Sequence, residues 1–121
     1  MSDLTAAVDT YLAAWNETDP ERRAELVEQV WAPDGTLTDP PMAASGHAGI
    51  SEMHGALQGQ FPGHRFRRAT AVDAHHGRFR VGWELVGPDG AVALAGTDVG
   101  QLTDDGRLHG ITGFFGDLPA G

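Results

Sequence analysis

Hydrophobic residues in the first half of the chain recur at intervals of three and four, the spacing that places side chains on one face of an α-helix. The first segment of this kind predicts a helix over about Leu4–Glu17. Asp19-Pro20 predicts the start of a second helix, running to about Trp31, because proline at the first helical position gives up only a donor that has no partner there. A third helix is predicted over residues 45–61, SGHAGISEMHGALQGQF.

From His64 onward hydrophobic and polar residues alternate, which is the pattern of half-buried β-strands. This pattern predicts four strands, HRFRRATAVDA, GRFRVGWELV, AVALAGTDVGQLT and RLHGITGFFG, separated by glycine-containing turns. A further short strand, TLTD, follows a helix stop and turn at Pro33-Asp34-Gly35. Helices followed by an antiparallel meander predict a single α+β domain over residues 1–121, with three helices packed on an antiparallel sheet.

Alternation also predicts which strand residues face inward. The second of the four strands has an apolar face, formed by Phe79, Val81, Trp83 and Leu85, and an opposite face that carries Arg78 and Arg80. The arginine-bearing face is therefore expected to meet water or an interface. In the third strand, Asp98 shares its face with Leu94, Gly96, Gly100 and Leu102. If that face is internal, burial raises the pKa of Asp98, which then donates a hydrogen bond near neutral pH.

The composition removes several kinds of chemistry. The chain has no cysteine, and all eight of its basic residues are arginines, which excludes disulfides, thiol nucleophiles, thiolate zinc sites and lysine Schiff bases. A net charge of −9 argues against nucleic-acid partners. The acidic N-terminal segment does not resemble a targeting peptide, and no apolar run approaches the ~20 residues of a membrane span, so we expect a cytoplasmic protein without a membrane partner. Carboxylate, histidine and tyrosine chemistry remain, or plain binding.

Three residues are candidates for catalysis, and each also has a structural explanation. Tyr11, the only tyrosine, lies on the apolar face of the first helix and needs a partner for its hydroxyl if it is buried. Asp39 ends a strand before two prolines, where it either terminates the strand or faces a substrate. Asp98 lies among apolar neighbours, although a one-residue bulge would turn it outward. The histidines and carboxylates lack the spacing of metal-binding motifs, so we expect no metal site.

Three segments carry a resemblance to a known family: TYLAAWN (10–16), GTLTDPPMAASGHAGISEM (35–53) and GTDVGQLTDDGRLHGITGFFG (96–116). They resemble the tyrosine-bearing first helix, the strand-Asp-Pro segment and the last hairpin of ketosteroid isomerase, a member of the NTF2-like superfamily, which is also described as SnoaL-like. The resemblance implies a cone-shaped fold in which a curved sheet wraps around three helices. It covers nearly the whole chain.

The resemblance also implies roles for individual residues. Asp39 falls on the general base, and Tyr11 and a protonated Asp98 fall on the pair that donates hydrogen bonds to the developing enolate oxygen. The implied enzyme moves a proton next to a carbonyl group and needs no cofactor. The predicted substrate-binding residues are Trp15, His54, Trp83, Gly100 and Phe114. The predicted partners are a small hydrophobic or carbonyl-containing ligand and a second copy of the chain, which binds through the outer face of the sheet.

Two departures from the isomerase pattern leave other functions open. Gly100 stands where the isomerase has a bulky aromatic residue, and Arg68 shares a predicted face with Phe66, which predicts a more polar pocket. The first alternative is a SnoaL-like polyketide cyclase, in which Asp98 acts with His54 while Asp39 points to solvent. The second is a non-catalytic ligand-binding or assembly module, which a pocket filled by side chains would favour.

Overall fold

The computed structural model describes residues 2–121, and three helices form the first layer of the fold. They are α1 (Ser2–Asn16), α2 (Pro20–Val30) and α3 (Gly46–Gln60), each within about two residues of its predicted bounds. The side chain of Asp19 accepts a hydrogen bond from the backbone N–H of Glu21 at 3.2 Å. This N-cap and the proline that follows it fix the start of α2.

Seven strands form the second layer: β1 (Trp31–Thr38), β2 (Ala43–Ser45), β3 (Arg65–Arg68), β4 (Asp73–His75), β5 (Arg78–Val86), β6 (Val92–Leu102) and β7 (Leu108–Phe115). Their order is β2-β1-β7-β6-β5-β3, and β4 also pairs with β5. The first strand runs parallel to the last, whereas the other pairs are antiparallel. The three helices pack on this curved mixed sheet, which confirms the α+β architecture and corrects the expectation of a wholly antiparallel sheet.

Two strands depart from their predicted extents. Pro33-Asp34-Gly35 was predicted to be a turn, but it lies inside β1, where the register with β7 shifts between Trp31 and Thr36. A side chain at Gly35 would overlap the Trp31 ring. The glycine therefore lets this irregular part of β1 pack directly against that buried indole. The predicted strand HRFRRATAVDA is interrupted between β3 and β4, where Thr70 accepts a hydrogen bond from the Gly82 N–H. That bond replaces a strand-to-strand backbone bond, so the edge bends there.

The core lies between the helices and the inner face of the sheet. On β5 the predicted apolar face is buried, with Phe79, Val81, Trp83 and Leu85 each at most 5% exposed. The helices contribute Val8, Tyr11, Trp15, Val27 and Ile50 to the same cluster. Alternation therefore assigned the faces of this strand correctly, because a strand with one buried face must bury every second side chain.

A side-chain clamp joins the end of α1 to the edge strand β3. Asn16 donates from Nδ2 to the Phe66 carbonyl at 2.9 Å and accepts from the Phe66 N–H at 2.7 Å. The amide group thus pairs with both backbone groups of Phe66, as a neighbouring strand would. Since the rings of Trp15 and Phe66 are in tilted contact, with centroids 5.3 Å apart, the clamp also fixes two aromatic side chains of the interior. No helix among residues 2–121 has the length and apolar character needed to cross a membrane.

We predict that Asn16→Ala lowers the free energy of unfolding by about 2 kcal/mol, since it leaves a partly buried N–H and C=O of Phe66 without partners. Asn16→Asp keeps the acceptor, but its second carboxylate oxygen would face the Phe66 carbonyl oxygen and repel it, so its loss should be at least as large. Urea unfolding followed by fluorescence measures both. The control is Gln101→Ala, which removes an exposed amide from β6. Equal stability of Asn16→Ala and the control would contradict the clamp.

Candidate active site

The register of three neighbouring strands brings two carboxylates to the same part of the inner face. Asp98 on β6 pairs with Gly113 on β7, and Thr38 on β1 pairs with Thr112, so Asp39 follows beside Gly113. A methyl group built on Gly113 would overlap Asp39 Oδ1 and lie 3.0 Å from Asp98 Oδ1. Asp39 and Asp98 therefore lie on either side of a glycine, with their carboxyl groups close together.

Asp98 is held by two aromatic donors. Tyr11 donates from its hydroxyl to Asp98 Oδ2 at 2.8 Å, and Trp83 donates from Nε1 to Asp98 Oδ1 at 3.0 Å. All three side chains are buried, and Asp98 itself is 3% exposed. An indole N–H only donates, so Trp83 always presents a donor to Oδ1. Tyr11 thereby gains the partner that a buried hydroxyl requires, and each oxygen of Asp98 has one donor.

Burial raises the pKa of both carboxyl groups. The pKa of Asp98 is raised to about 7, chiefly by desolvation; the hydrogen bonds from Tyr11 and Trp83 oppose the shift, and the charge of Asp39 adds to it. Desolvation alone raises the pKa of Asp39, to about 6. Burial, followed by the charges of Asp98 and Asp39, raises the pKa of Tyr11 well above its usual value, so this hydroxyl keeps its proton. Near pH 7 Asp39 is therefore mostly ionised, while Asp98 is protonated in a large share of molecules.

Asp39 both terminates a strand and faces the cavity, the two roles that its sequence position allowed. Its N–H donates to the Met42 carbonyl at 2.8 Å, and the Met42 N–H donates back to the Asp39 carbonyl at 3.2 Å. These bonds close the turn between β1 and β2 around Pro40 and Pro41. Asp39 thus terminates the strand through its backbone, while its side chain lines the cavity. The turn fixes the backbone from which this carboxylate projects.

The cavity itself is small and mostly aromatic. Its polar groups are Tyr11, Asp39 and Asp98, and its walls are the rings of Trp15, Phe66, Trp83 and Phe115 with Leu12, Leu57 and Leu94. The rings form a continuous series, with Phe66 5.4 Å and Phe115 5.8 Å from Trp83 between centroids. The cavity volume of about 20 Å³ is enough for about one water molecule. A larger ligand must displace side chains.

The structure places some of the predicted substrate-binding residues at the cavity and others elsewhere. Trp15 and Trp83 line it, but Phe114 lies on the opposite face of the sheet and is 57% exposed. Phe115 lines the cavity in its place. Counting alternate residues from the buried Ile111 leads to Gly113 and then Phe115, so the alternation itself could have identified the correct phenylalanine.

His54 and Gly100 also do not line the cavity. The imidazole of His54 is fully buried behind Trp15, at 3.9 Å between ring centroids, and neither of its ring nitrogens has a hydrogen-bond partner among the described residues. Burial, with the charge of Arg23, lowers the pKa of His54 to about 3, so it is neutral. A side chain at Gly100 would overlap the ring of Phe79, so this glycine makes room for a core residue.

Arg68, expected to make the pocket more polar, does not enter it. Its Nε donates to Asp9 of α1 at 2.8 Å, and its Nη1 donates to the Thr70 carbonyl. Arg68 is the last residue of β3 and pairs with Trp83, so it shares a face with Phe66 as predicted, but at this edge its side chain extends to α1 instead of into the cavity. Phe66, Phe115 and Gly113 are the site residues that the sequence interpretation did not single out. Among the side chains that the structure describes, no cluster of three His, Asp or Glu residues is arranged to hold a metal ion.

Comparisons with known proteins agree with this architecture. A family model for the SnoaL-like domain matches residues 8–110. A crystal structure of a candidate isomerase of the SnoaL-like family from Agrobacterium tumefaciens is 42% identical, with a TM-score of 0.91, over 97% of this chain and 100% of that one. A candidate SnoaL-like polyketide cyclase from Jannaschia sp. is 17% identical, with a TM-score of 0.69, over 92% and 85% of the two chains. No curated protein sequence matches.

We predict that Asp98→Asn becomes progressively more stable than the wild type as the pH rises. The pKa of Asp98 is raised from 3.8 to about 7, so the stabilisation from its protonated form is complete below pH 4 and is lost as the pH rises to about 7. Asparagine resembles the neutral acid at every pH. Urea unfolding should therefore give similar stabilities at pH 4 and an advantage on the order of 2–4 kcal/mol for the variant at pH 8.

Comparing the stability of Asp98→Asn with that of the wild type at each pH isolates the effect of this carboxyl group. The lowered pKa of His54 has the opposite effect, a loss of stability as the pH falls from 6.5 toward 3, but this effect is common to both. Asp73→Asn, which removes an exposed carboxylate from β4, is the control. A stability difference between Asp98→Asn and the wild type that stays constant from pH 4 to pH 8 would contradict the raised pKa.

Proposed function

The chain belongs to the SnoaL-like family of the NTF2-like superfamily, and on that premise we propose that it is a cofactor-independent enzyme that moves a proton next to a carbonyl group. One observation carries the proposal. Asp39 and Asp98 meet beside Gly113 in a mostly apolar cavity, and Tyr11 is hydrogen bonded to Asp98. A base and two hydrogen-bond donors at one cavity are what such a reaction requires.

In the proposed reaction Asp39 removes a proton from the carbon next to the carbonyl group. The electrons of the broken C–H bond form the carbon–carbon double bond of an enolate, and the negative charge collects on the oxygen. Asp39 then returns the proton to another carbon of the same conjugated system, so the substrate is isomerised and the carboxylate is regenerated. The pKa of about 6 suits this role, because Asp39 is ionised at neutral pH yet more basic than an exposed aspartate.

Tyr11 and protonated Asp98 would stabilise the enolate oxygen. Their oxygens are 2.8 Å apart, so one substrate oxygen can reach both donors once it replaces their mutual hydrogen bond. Donors that are fixed in an apolar cavity before the reaction cost little reorganisation when charge develops. Trp83, which donates to Asp98 Oδ1, would keep the acid in one orientation throughout. This orientation leaves the proton of Asp98 available to the substrate.

The cavity walls favour a neutral, largely apolar carbonyl compound. None of the described residues that line the cavity is an arginine or a histidine, while two are carboxylic acids, so an anionic substrate would be repelled. The aromatic series on one side offers flat surfaces for a planar conjugated system. Because the cavity volume is only about 20 Å³, entry requires Phe115 and Leu94, which are both partly exposed, to move outward.

The small cavity also supports a second candidate, a non-catalytic binding or assembly module. Side chains fill most of the space that a substrate would need. The cyclase alternative has less support, because His54 is separated from the cavity by Trp15 and Asp39 lines the cavity rather than pointing to solvent. The activity assay below separates the isomerase from the binding module.

A homodimer and a cytoplasmic location complete the proposal. The outer face of the sheet carries Val99 and Phe114, which are 44% and 57% exposed and are diagonal neighbours across β6 and β7. Arg80 lies opposite Val99 on β5. Exposed apolar side chains rimmed by charge are typical of an interface between subunits.

Sedimentation velocity should give a dimer for the wild type and a monomer for Phe114→Arg; an unchanged sedimentation coefficient would contradict this interface.

We predict that wild-type protein isomerises small β,γ-unsaturated ketones to conjugated enones, measured by ultraviolet absorbance. Asp39→Asn should reduce kcat by about 10²–10⁴-fold, because the amide cannot accept the proton. Asp34→Asn, an exposed change on β1, the strand that leads to Asp39, should leave the rate unaltered. Full activity in Asp39→Asn would rule out Asp39 as the base. Absence of turnover across a panel of ketones, together with their binding, would favour the non-catalytic module.

The proposed roles of Asp39 and Asp98 predict a narrow pH optimum in the same assay. Activity should rise as Asp39 ionises at about pH 6 and fall as Asp98 loses its proton at about pH 7, so that kcat/KM is greatest between these values. Tyr11→Phe should lower kcat by about 10²-fold while KM changes little, since its hydrogen bond strengthens only as the enolate forms. Activity that keeps rising above pH 8 would show that protonated Asp98 is not a donor.

A further inference from the structure

Gly113 is a glycine whose backbone does not require glycine. Six other glycines lie at positive φ, where an L-residue is strained, but Gly113 has an ordinary strand conformation within β7. What its missing side chain provides is space. The position of a Cβ atom is taken by Asp39 Oδ1, and Asp98 Oδ1 lies 3.0 Å from the same point. The glycine is therefore explained by the two carboxyl groups and not by the turn or the strand.

We propose that Gly113 is a positioning residue of this site: its missing side chain lets the Asp39 carboxylate lie against β7 beside Asp98, so that the charge of one carboxyl group controls the protonation of the other. The catalytic consequence of this pairing rests on the proposed function, whereas the pairing itself does not. Asp39 comes to this point on β1 and Asp98 on β6, and Gly113 lies on the strand between them. Any side chain at 113 would separate the two.

The surroundings of the pair are well defined. Tyr11 of α1 is the third titratable group in contact, through its 2.8 Å hydrogen bond to Asp98, and Trp83 of β5 supplies the other donor to that residue. The cavity lining holds no positive charge among the described residues that could neutralise either carboxylate. Two acids in one mostly apolar site do not both ionise easily, so the ionisation of one raises the pKa of the other.

An alanine at 113 would displace Asp39 rather than Asp98. Asp98 is held between Tyr11 and Trp83, whereas Asp39 is half-buried and its side chain has no hydrogen-bond partner among the described residues, so it can rotate toward solvent. Rotation would hydrate the Asp39 carboxylate, and its pKa should then fall from about 6 toward 3.8. The base would be weaker and farther from the two donors.

The test is a titration of both carboxyl groups by ¹³C NMR in the wild type, Gly113→Ala and Gly110→Ala. Gly110 is the matched control, since it lies on the same strand and its Cβ would meet only Thr36, at 3.5 Å from Oγ1 and 3.9 Å from the carbonyl oxygen, which are ordinary contacts. We expect the Asp39 pKa to fall from about 6 to near 4 in Gly113→Ala and to stay in place in Gly110→Ala. An unchanged Asp39 pKa in folded Gly113→Ala would overturn the proposal.

Coupling is measured by adding Asp39→Asn to each background. In the wild-type background this change should lower the Asp98 pKa, because it removes the charge that raises it. In the Gly113→Ala background the effect should be much smaller. An equal effect in both backgrounds would mean that the carboxylates are paired without help from Gly113, and it would overturn the proposal.

Two further measurements cover the remaining outcomes. If Gly113→Ala does not fold, Asp39→Ala/Gly113→Ala should fold, since the overlapping carboxylate is gone; failure of both would contradict the proposal. If wild-type protein isomerises a ketone, Gly113→Ala should lose at least tenfold in kcat with KM within about twofold, and full activity in a folded variant would contradict the positioning role. If no ketone is turned over, the proposed function fails, and the titrations still show whether Gly113 pairs Asp39 with Asp98.

Discussion

The structure depends on one buried carboxyl group that water does not solvate. Asp98 lies on the inner face of the sheet, and hydrogen bonds from Tyr11 on α1 and Trp83 on β5 satisfy its two oxygens. Without them the interior would contain an acid with no partner, at a cost of several kcal/mol if charged. The same bonds connect the first helix to two central strands. The group that defines the candidate active site is therefore also part of what positions α1 on the sheet.

Glycines on the inner face make this arrangement possible. A Cβ atom at Gly96 would overlap the indole of Trp83, which donates to Asp98, and one at Gly113 would overlap Asp39. On β6 the inward position after Asp98, Gly100, leaves room for the Phe79 ring. Each missing side chain becomes a recess for a larger group from a neighbouring strand. A sheet that curves around polar and aromatic groups needs such recesses, because its interior has no spare volume.

The energetic cost of this interior is concentrated in three desolvated groups, of which two line the cavity. Desolvation raises the pKa values of Asp39 and Asp98, and it lowers that of His54, which has no hydrogen-bond partner among the described residues. The two carboxyl groups lower the free energy of unfolding as the pH rises from about 4 to 7, whereas the histidine lowers it as the pH falls below about 6.5. The acids line a cavity and have a proposed use for this strain. His54 only packs against Trp15, as the ordinary buried histidine that its apolar helix face allows.

The sequence by itself determined the three helices, the inward strand faces and three residues that the structure brings to one cavity. Periodicity is local, so it identified the three helices, the buried face of β5 and the inward direction of Asp98. It could not determine which strands pair, and the parallel contact of β1 with β7 is what brings Asp39 to Asp98. It also placed His54 and Phe114 at a pocket that they do not line. Those outcomes depend on contacts between residues far apart in the chain, which only the packing of the whole fold decides.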